Sequence, residues 1–197
     1  AGLGQTARSL KVFKDRLEEI DYALEDSLFL ARDGDVPVDC SLLVIAGPRT
    51  PFLDNEVTAI RHYLEEGGAL LALLDPGPAT GLEPLLREYG VVLGNDFVID
   101  TSGIGSLFGL DFTTPVAVEY GDHPVSQKHQ GLITFYQVAR SVRFESPGSG
   151  ELTGAELVRT SSQGWAESDL SVLQPGGEKA VRMDPGVDRP GPVPLAA

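Results

Sequence analysis

The sequence has few of the features that mark disulfide-bonded, zinc-binding or membrane-spanning proteins. A single cysteine, Cys40, excludes an intramolecular disulfide and a cysteine-rich zinc module. The longest uninterrupted apolar run covers only residues 69–74, whereas a membrane-spanning helix needs about 20 residues. We therefore predict no membrane-spanning helix within these 197 residues.

Basic residues are scarce as well. The chain has 15 lysines and arginines against 29 acidic residues, which gives a net charge of −14. Such a chain is repelled by phosphate backbones and anionic lipid surfaces, so we expect no nucleic-acid partner. The three histidines (His62, His123 and His129) show neither HxH nor HxxxH spacing, and no metal site is predicted.

The motifs of common catalytic and cofactor sites are also missing. A nucleophile elbow needs a serine or cysteine at a sharp turn after a strand, but Gly47-Pro48-Arg49 follows the apolar run that ends at Ala46. No GxxxxGK[ST] phosphate loop occurs, and the glycines of residues 103–109 miss the GxGxxG pattern by one position. We therefore predict no bound cofactor.

The residues that are present predict a folded domain. Apolar residues make up 42% of the chain and charged residues 22%, as in ordinary globular proteins. A helix is predicted over roughly residues 5–20, with one apolar face that should pack on the remainder of the domain. That face is formed by Leu10, Phe13, Leu17 and Ile20.

Two apolar runs dominate the first half. Residues 41–46 and 69–74 each read as a strand buried on both faces, and a helical stripe of Leu53, Val57, Ile60 and Leu64 separates them. This order predicts a parallel βαβ unit and an α/β fold with a layered, mostly parallel sheet flanked by helices. Truncating Ile45 or Leu73 to alanine should then cost about 2–5 kcal/mol.

The amino-acid pattern changes after about residue 110, where short strand-like segments alternate with turn residues. We predict an α/β core over 1–110, a β-rich continuation of the same domain over 111–173, and a proline- and glycine-rich tail over 174–197. The tail is a loop, a frayed end or an edge strand beginning near Val193. The glycine-rich segment 101–109 is predicted to be a flexible surface loop.

Two places are candidates for ligand or partner binding. Gly47 and Asp75 follow the two predicted parallel strands, whose carboxyl ends should form a crevice, although Asp75 can also simply end its strand. The second place is the polar segment around Thr160, Ser161 and Trp165. A tryptophan there can anchor a partner or fill the core, and the sequence leaves both alternatives open.

The order of several short motifs resembles a known family, the GldG-like auxiliary component of bacterial ABC transport systems, which is associated with gliding motility. The first half contributes Val36-Pro37-Val38-Asp39, Leu42-Leu43-Val44-Ile45-Ala46-Gly47-Pro48, Glu56, Tyr63-Leu64, Gly67-Gly68, Leu73-Leu74-Asp75-Pro76, Tyr89-Gly90-Val91 and Val98-Ile99-Asp100. The second half contributes His123-Pro124, Ala139-Arg140-Ser141, Thr160-Ser161, Trp165-Ala166-Glu167 and Gly191-Pro192-Val193-Pro194-Leu195-Ala196.

This resemblance implies a periplasmic domain of a membrane-anchored bacterial protein. It implies a core similar to class I glutamine amidotransferase-like or flavodoxin-like folds, without their chemistry. The implied partners are the membrane and ATPase subunits of the parent ABC transport system. Members usually carry a further strand and a Gly-His-Gly-Glu-like segment ahead of the region matching residues 5–20, so we expect this chain to be part of a longer protein.

Three functional hypotheses follow. The first is a non-enzymatic accessory or ligand-binding domain of an ABC transport system. The alternative is an amidotransferase-like or hydrolase-like enzyme that uses Cys40, or a serine, with His123. The third is a scaffold that docks on another protein through residues 101–109 and the Trp165 segment.

Overall fold

The structure, a computed structural model, describes residues 2–25, 28–148, 152–173 and 181–197, without the side chains of residues 2–10, 172 and 173. Its helices are α1 (Gly2–Glu19), α2 (Leu30–Asp33), α3 (Asp54–Glu65) and α4 (Glu83–Glu88). Its strands are β1 (Leu43–Ala46), β2 (Leu70–Leu73), β3 (Val91–Leu93), β4 (Phe97–Asp100), β5 (Val116–Tyr120), β6 (Thr134–Phe135), β7 (Val142–Phe144), β8 (Val158–Thr160), β9 (Gly164–Glu167), β10 (Arg189–Pro190) and β11 (Pro194–Ala196).

The predicted parallel βαβ unit is confirmed. Strands β1 and β2 pair in parallel, with Leu43 opposite Leu70 and Ala46 opposite Leu73. Helix α3 connects them, and its residue Ile60 is fully buried in a cluster with Ile45 of β1. The hydroxyl of Tyr63 bonds to the main chain of Ala69 at 3.1 Å, which fixes the end of the helix to the start of β2.

The prediction that both strands are buried on two faces is wrong. Helix α3 covers one face, and on the other the side chains of Leu71 and Leu73 are 37% and 49% exposed. Helix α1 forms as predicted, but on its predicted apolar face Phe13 is 36% exposed and Leu17 half-buried, and Ile20, just after the helix, is 64% exposed. The side chain of Leu10, the fourth residue of that face, lies outside the described part of the structure. Within the described residues, no helix therefore covers the second face of the β1–β2 pair, whereas the apolar sequence predicts a helical layer there.

The predicted layered, mostly parallel sheet is also wrong. The named strands form four small sheets, and β1–β2 alone pairs in parallel within the described residues. The others are antiparallel, in the orders β3-β7, β10-β9-β4 and β11-β8-β5-β6. Parallel pairing needs long crossover connections, usually helices, whereas β3 and β4 are joined only by residues 94–96.

The core of the β-rich region surrounds β4 and β9, in which every residue is buried. Phe97, Ile99 and Trp165 form one cluster, while Val98 and Val193 belong to another. Strands β10 and β11, in the predicted tail, pair with β9 and β8. Strand β11 lies at the edge of its sheet, so the edge-strand alternative for the end of the chain is confirmed.

Candidate functional site

The carboxyl ends of β1 and β2 lie together at one edge of the pair. The amide of Gly47 donates to the carbonyl of Leu73 at 2.9 Å. Gly47 has a φ of 56°, and a Cβ placed there would lie 3.5 Å from Oδ2 of Asp75. The structure thus brings together the two residues that the sequence predicted at this edge.

Arg140, which precedes β7, connects this edge to the β-rich region. Its Nη1 donates to the carbonyl of Asp75 at 3.2 Å, and its Nε donates to the carbonyl of Gly94 at 2.8 Å. Its Nη2 also donates to Gly94. The sequence does not mark Arg140 as a site residue, because this arginine occurs only within a resemblance motif and nothing in the local pattern indicates its burial.

The Arg140 guanidinium is buried without an ion pair. The residue is only 7% exposed, and no carboxylate of the described residues forms a salt bridge with it. Burial lowers the pKa of Arg140 below its usual value because the charged form loses hydration, while Asp96 and Glu83 act in the opposite direction. These two acids are the charges that balance the guanidinium electrostatically.

Both acids near Arg140 direct their hydrogen bonds elsewhere. Asp96 accepts the amide and the hydroxyl of Ser141 at 2.8 and 2.7 Å, and Arg189 Nη2 lies 3.3 Å from its Oδ2. Glu83 accepts the amide and hydroxyl of Thr80 at 2.9 and 3.1 Å. Burial opposes ionisation of Glu83, but these and other hydrogen bonds outweigh it and lower its pKa.

A cleft of about 200 Å³ opens beside Arg140. Its polar lining consists of Arg140, Glu83, Arg87 and Asn95. Its apolar lining is formed by Gly77, Pro78, Ala79, Val91 and Leu93. Arg87 and Asn95 are exposed at the rim, so the cleft combines one fixed, buried cation with polar groups that remain free to adjust to a ligand.

The second predicted site, around residues 160–167, is largely buried. Thr160 is fully buried, and its hydroxyl donates to the carbonyl of Ser161 at 2.9 Å. Trp165 is 5% exposed, packs with Phe97, and donates through Nε1 to Glu167 at 3.3 Å. The tryptophan thus fills the core, which was one of the two alternatives; partner binding by Thr160, Ser161 and Trp165 stays a prediction.

The residues of the enzyme hypothesis show no catalytic pairing in the described parts of the chain. Cys40 packs against the cluster around Ile60, and its carbonyl accepts the Tyr63 hydroxyl at 3.3 Å. Nδ1 of His123 accepts the amide of Val125 at 3.3 Å, within its own turn. Among the residues the structure describes, no thiol or hydroxyl bonds to the His123 imidazole, and no cluster of three or more metal-binding side chains occurs.

A larger, open recess of about 460 Å³ lies between α3 and residues 34–35, which follow α2. His62 lines it and lies 4.0 Å from Asp35 and 3.5 Å from Glu66. All three side chains are more than half exposed. Exposed pairs of this kind contribute little free energy and do not mark a binding site.

The glycine-rich segment 101–109 lies at the surface, as predicted. Gly103 and Gly109 both adopt positive φ angles, which glycine accommodates without strain. Leu107 and Phe108 are 83% and 63% exposed, and the Phe108 ring lies 5.1 Å from that of Phe135. The scaffold hypothesis stays a prediction for this loop.

Comparison with solved structures shows a shared fold. The "mmIFT52 N-terminal domain" matches with a TM-score of 0.60 and 19% identity, over 79% of this chain and 70% of that chain. At this identity the likeness concerns the fold alone. It supports the β-rich architecture and overturns the predicted layered parallel fold.

Curated relatives match over shorter stretches. The intraflagellar transport protein 52 homologs of Mus musculus and Homo sapiens are 35% and 36% identical over 66 and 62 residues. These stretches cover 32% and 29% of this chain, but only 16% and 14% of the two relatives. The chain therefore corresponds to a small part of those proteins.

No helix in the described ranges has both the length and the apolar character needed to cross a bilayer.

The family comparison covers most of the chain. A family model described as "ABC-type uncharacterized transport system" matches residues 18–197. The chain therefore belongs to this family of auxiliary components of ABC-type transport systems.

Proposed function

We propose that this chain is a non-enzymatic, partner-binding domain of a gliding-motility-associated ABC transport system. The observation that carries the proposal is the family match over residues 18–197. The motif order described above favours the gliding-motility branch of such systems. The cleft beside Arg140 supplies a place where a ligand or partner group can bind.

The chemistry of the cleft supports binding. Arg140 donates to main-chain carbonyls, and Oε1 of Glu83 accepts the amide and hydroxyl of Thr80, so both side chains are held in position beside the cleft. Asn95 and Arg87 offer hydrogen-bond donors at the rim. The fixed Arg140 guanidinium beside an apolar lining is the kind of arrangement that orients a bound ligand group.

We further propose that the domain is extracytoplasmic and belongs to a membrane-anchored bacterial protein. In this arrangement the domain contacts the membrane subunit of the transporter directly, and the ATPase subunit is present in the same complex. The motif resemblance supports this location. The acidic net charge of −14 disfavours adsorption to anionic lipid, so the partner surface we expect is protein.

Affinity capture tests the transport role. The full-length parent protein, tagged and extracted from its native membranes with mild detergent, should retain the membrane and ATPase subunits of an ABC transporter through washes at moderate salt. An unrelated membrane protein with the same tag serves as control. Repeated recovery of the tagged protein without either subunit would contradict the proposal.

Thiol labelling tests the location. In a Cys40→Ser background, Val38→Cys places a thiol at a fully exposed position, whereas Val36→Cys places one at a position only 8% exposed. A membrane-impermeant maleimide should label the Val38→Cys protein in cells whose inner membrane is intact. The Val36→Cys protein should react only after denaturation, and labelling of Val38→Cys only after lysis would contradict an extracytoplasmic location.

A further inference from the structure

Among the residues that the structure describes, the guanidinium of Arg140 does not use all of its hydrogen-bond donors. Arginine carries five N–H donors, and three of them point to the carbonyls of Asp75 and Gly94. Because Nη1 and Nη2 each make one such bond and each carry two hydrogens, one N–H remains on each terminal nitrogen. These two donors belong to a side chain that lines the cleft.

In the described part of the chain, no carboxylate is in contact with the positive charge of Arg140 either. Carbonyl oxygens satisfy hydrogen bonds but carry only partial charge, and a buried cation is costly unless an anion compensates it. Asp96 and Glu83 act on this charge from a distance, but the hydrogen bonds they accept come from Ser141, Arg189 and Thr80 and not from the Arg140 guanidinium. An anion that enters the cleft would meet a guanidinium already fixed in place, so little side-chain entropy would be lost on binding.

The shape and charge of the cleft select the kind of anion. A carboxylate presents two oxygens in one plane, which suits two N–H donors of a guanidinium. The carboxylate of Glu83 lines the same cleft and disfavours a ligand with a second negative charge, such as a phosphate dianion. The volume of about 200 Å³ accepts a small acidic group.

We propose that the cleft binds a carboxylate, with Arg140 as the buried anchor and Arg87 and Asn95 as donors at the rim. The apolar side chains of Val91 and Leu93 receive the carbon chain that bears the carboxylate. This inference rests on the proposed function, since it names the chemistry by which the same cleft recognises a partner or ligand. The carboxylate comes either from an acidic peptide or from a small organic acid.

A titration followed by NMR tests the binding directly. The 197-residue chain, labelled with ¹⁵N-arginine, is titrated with sodium acetate that replaces sodium chloride at constant ionic strength. The Nε–H resonance of Arg140 should shift and saturate, while that of Arg32, an exposed arginine paired with Asp33, should not. The same response of both resonances, or no saturable shift at Arg140, would overturn the proposal.

Substitutions locate the effect in the cleft. Arg140→Lys should abolish saturation, and because this variant removes a structural contact, Arg87→Gln supplies a second test at an exposed position. Arg87→Gln should weaken acetate binding about two- to fivefold, as expected for one exposed charge. Lys128→Gln, an exposed substitution outside the cleft with the same charge change, should leave the affinity unchanged. Equal losses for Arg87→Gln and Lys128→Gln would show a general charge effect and refute the site.

Two further binding measurements identify the source of the carboxylate and the class of anion. A terminally blocked peptide with one glutamate is compared with its glutamine counterpart and with acetate. Tighter binding of the glutamate peptide than of acetate identifies a protein partner, whereas equal affinities identify a small organic acid. Inorganic phosphate that binds more tightly than acetate would overturn the carboxylate assignment. Capture of transporter subunits is independent of these titrations, so failure of either proposal can be recognised separately.

Discussion

The β1–α3–β2 unit and the β4–β9 pair reverse the usual relation between apolar sequence and burial. Strand β2 consists only of leucine and alanine, yet alternate residues along it are exposed. Strands β4 and β9 end in Asp100 and Glu167, yet every residue of both strands is buried. The more polar of the two regions thus forms the better-protected core.

The difference arises from what packs on each strand. Helix α3 covers one face of the β1–β2 pair, and the described residues place no layer over Leu71 and Leu73. Strand β4 contributes Phe97 and Ile99 to one cluster and Val98 to another, so both of its faces are covered. The hydrophobicity of a strand therefore indicates how much its burial would stabilise the fold, whereas the neighbouring layers determine how much of its surface is buried.

The acidic ends of the buried strands are accommodated by hydrogen bonds. Asp100 accepts the amides of Ser102 and Val116 at 2.7 and 3.1 Å. Glu167 accepts the indole N–H of Trp165 at 3.3 Å and the amide of Asp169 at 2.9 Å. A buried acid with such partners avoids most of the penalty of an unsatisfied polar group.

The largest effect should follow truncation in the β4–β9 core. Phe97 is fully buried, and Phe97→Ala should lower the free energy of unfolding by about 3–5 kcal/mol through lost transfer energy and a cavity. Phe108→Ala, at an exposed position, should cost about 0.5 kcal/mol or less. Denaturant unfolding of the two variants provides the comparison, and similar losses would show that the β4–β9 region is not the main core.

Within the β1–α3–β2 unit, two truncations separate the covered face from the open one. Ile45 is 6% exposed, so Ile45→Ala should cost about 2–5 kcal/mol. Leu73 is 49% exposed, so the cost of Leu73→Ala should fall to about 1 kcal/mol or less, which corrects the equal costs expected from sequence. Urea unfolding distinguishes the two cases. A loss for Leu73→Ala as large as that for Ile45→Ala would mean that another layer covers the open face.

A further substitution tests the polar contacts that border the β4–β9 region. Asp96→Ala removes the acceptor of two Ser141 hydrogen bonds and the ion pair with Arg189. We expect a loss of about 2–3 kcal/mol in unfolding free energy, because buried donors are left without a partner. Asp96→Asn, which keeps one acceptor oxygen, should lose less in the same assay. Equal losses would indicate that the negative charge, and not the hydrogen bonds, stabilises this contact.

The sequence predicts local elements better than it predicts their assembly. The periodicity of α1 and α3 and the apolar runs of β1 and β2 reflect short-range order, and the structure contains all four elements. The assembly depends on long-range pairing, such as Arg189 of β10 opposite Ala166 of β9. A single sequence carries no signal for such contacts. The prediction that the parallel pairing of β1 and β2 continues into a larger parallel sheet is therefore wrong.

The candidate site shows the same limit. Gly47 and Asp75 could be predicted to meet because parallel strands end at the same edge. Arg140 could not, since it reaches Asp75 and Gly94 from a distant part of the chain. Trp165 shows the converse, because a lone tryptophan among small polar residues has the same local pattern whether it fills a core or faces a partner.

The smallest expected effect concerns pH. Its test compares the β-rich region with a charged and with a neutral side chain at position 188. Burial opposes ionisation of Asp188, but hydrogen bonds from the Asp184 amide and from the amide and hydroxyl of Ser168 lower its pKa. A lowered pKa in the folded state stabilises the fold above the ordinary aspartate pKa of about 4, and this stabilisation is lost as the pH falls further.

In thermal unfolding, the stability of the Asp188→Asn protein should decline less below about pH 4 than that of the unmodified chain. Ser168→Ala, which removes only the hydroxyl donor, should fall between that variant and the unmodified chain. An unchanged acid profile for Asp188→Asn would show that this carboxylate does not contribute to the pH dependence of folding.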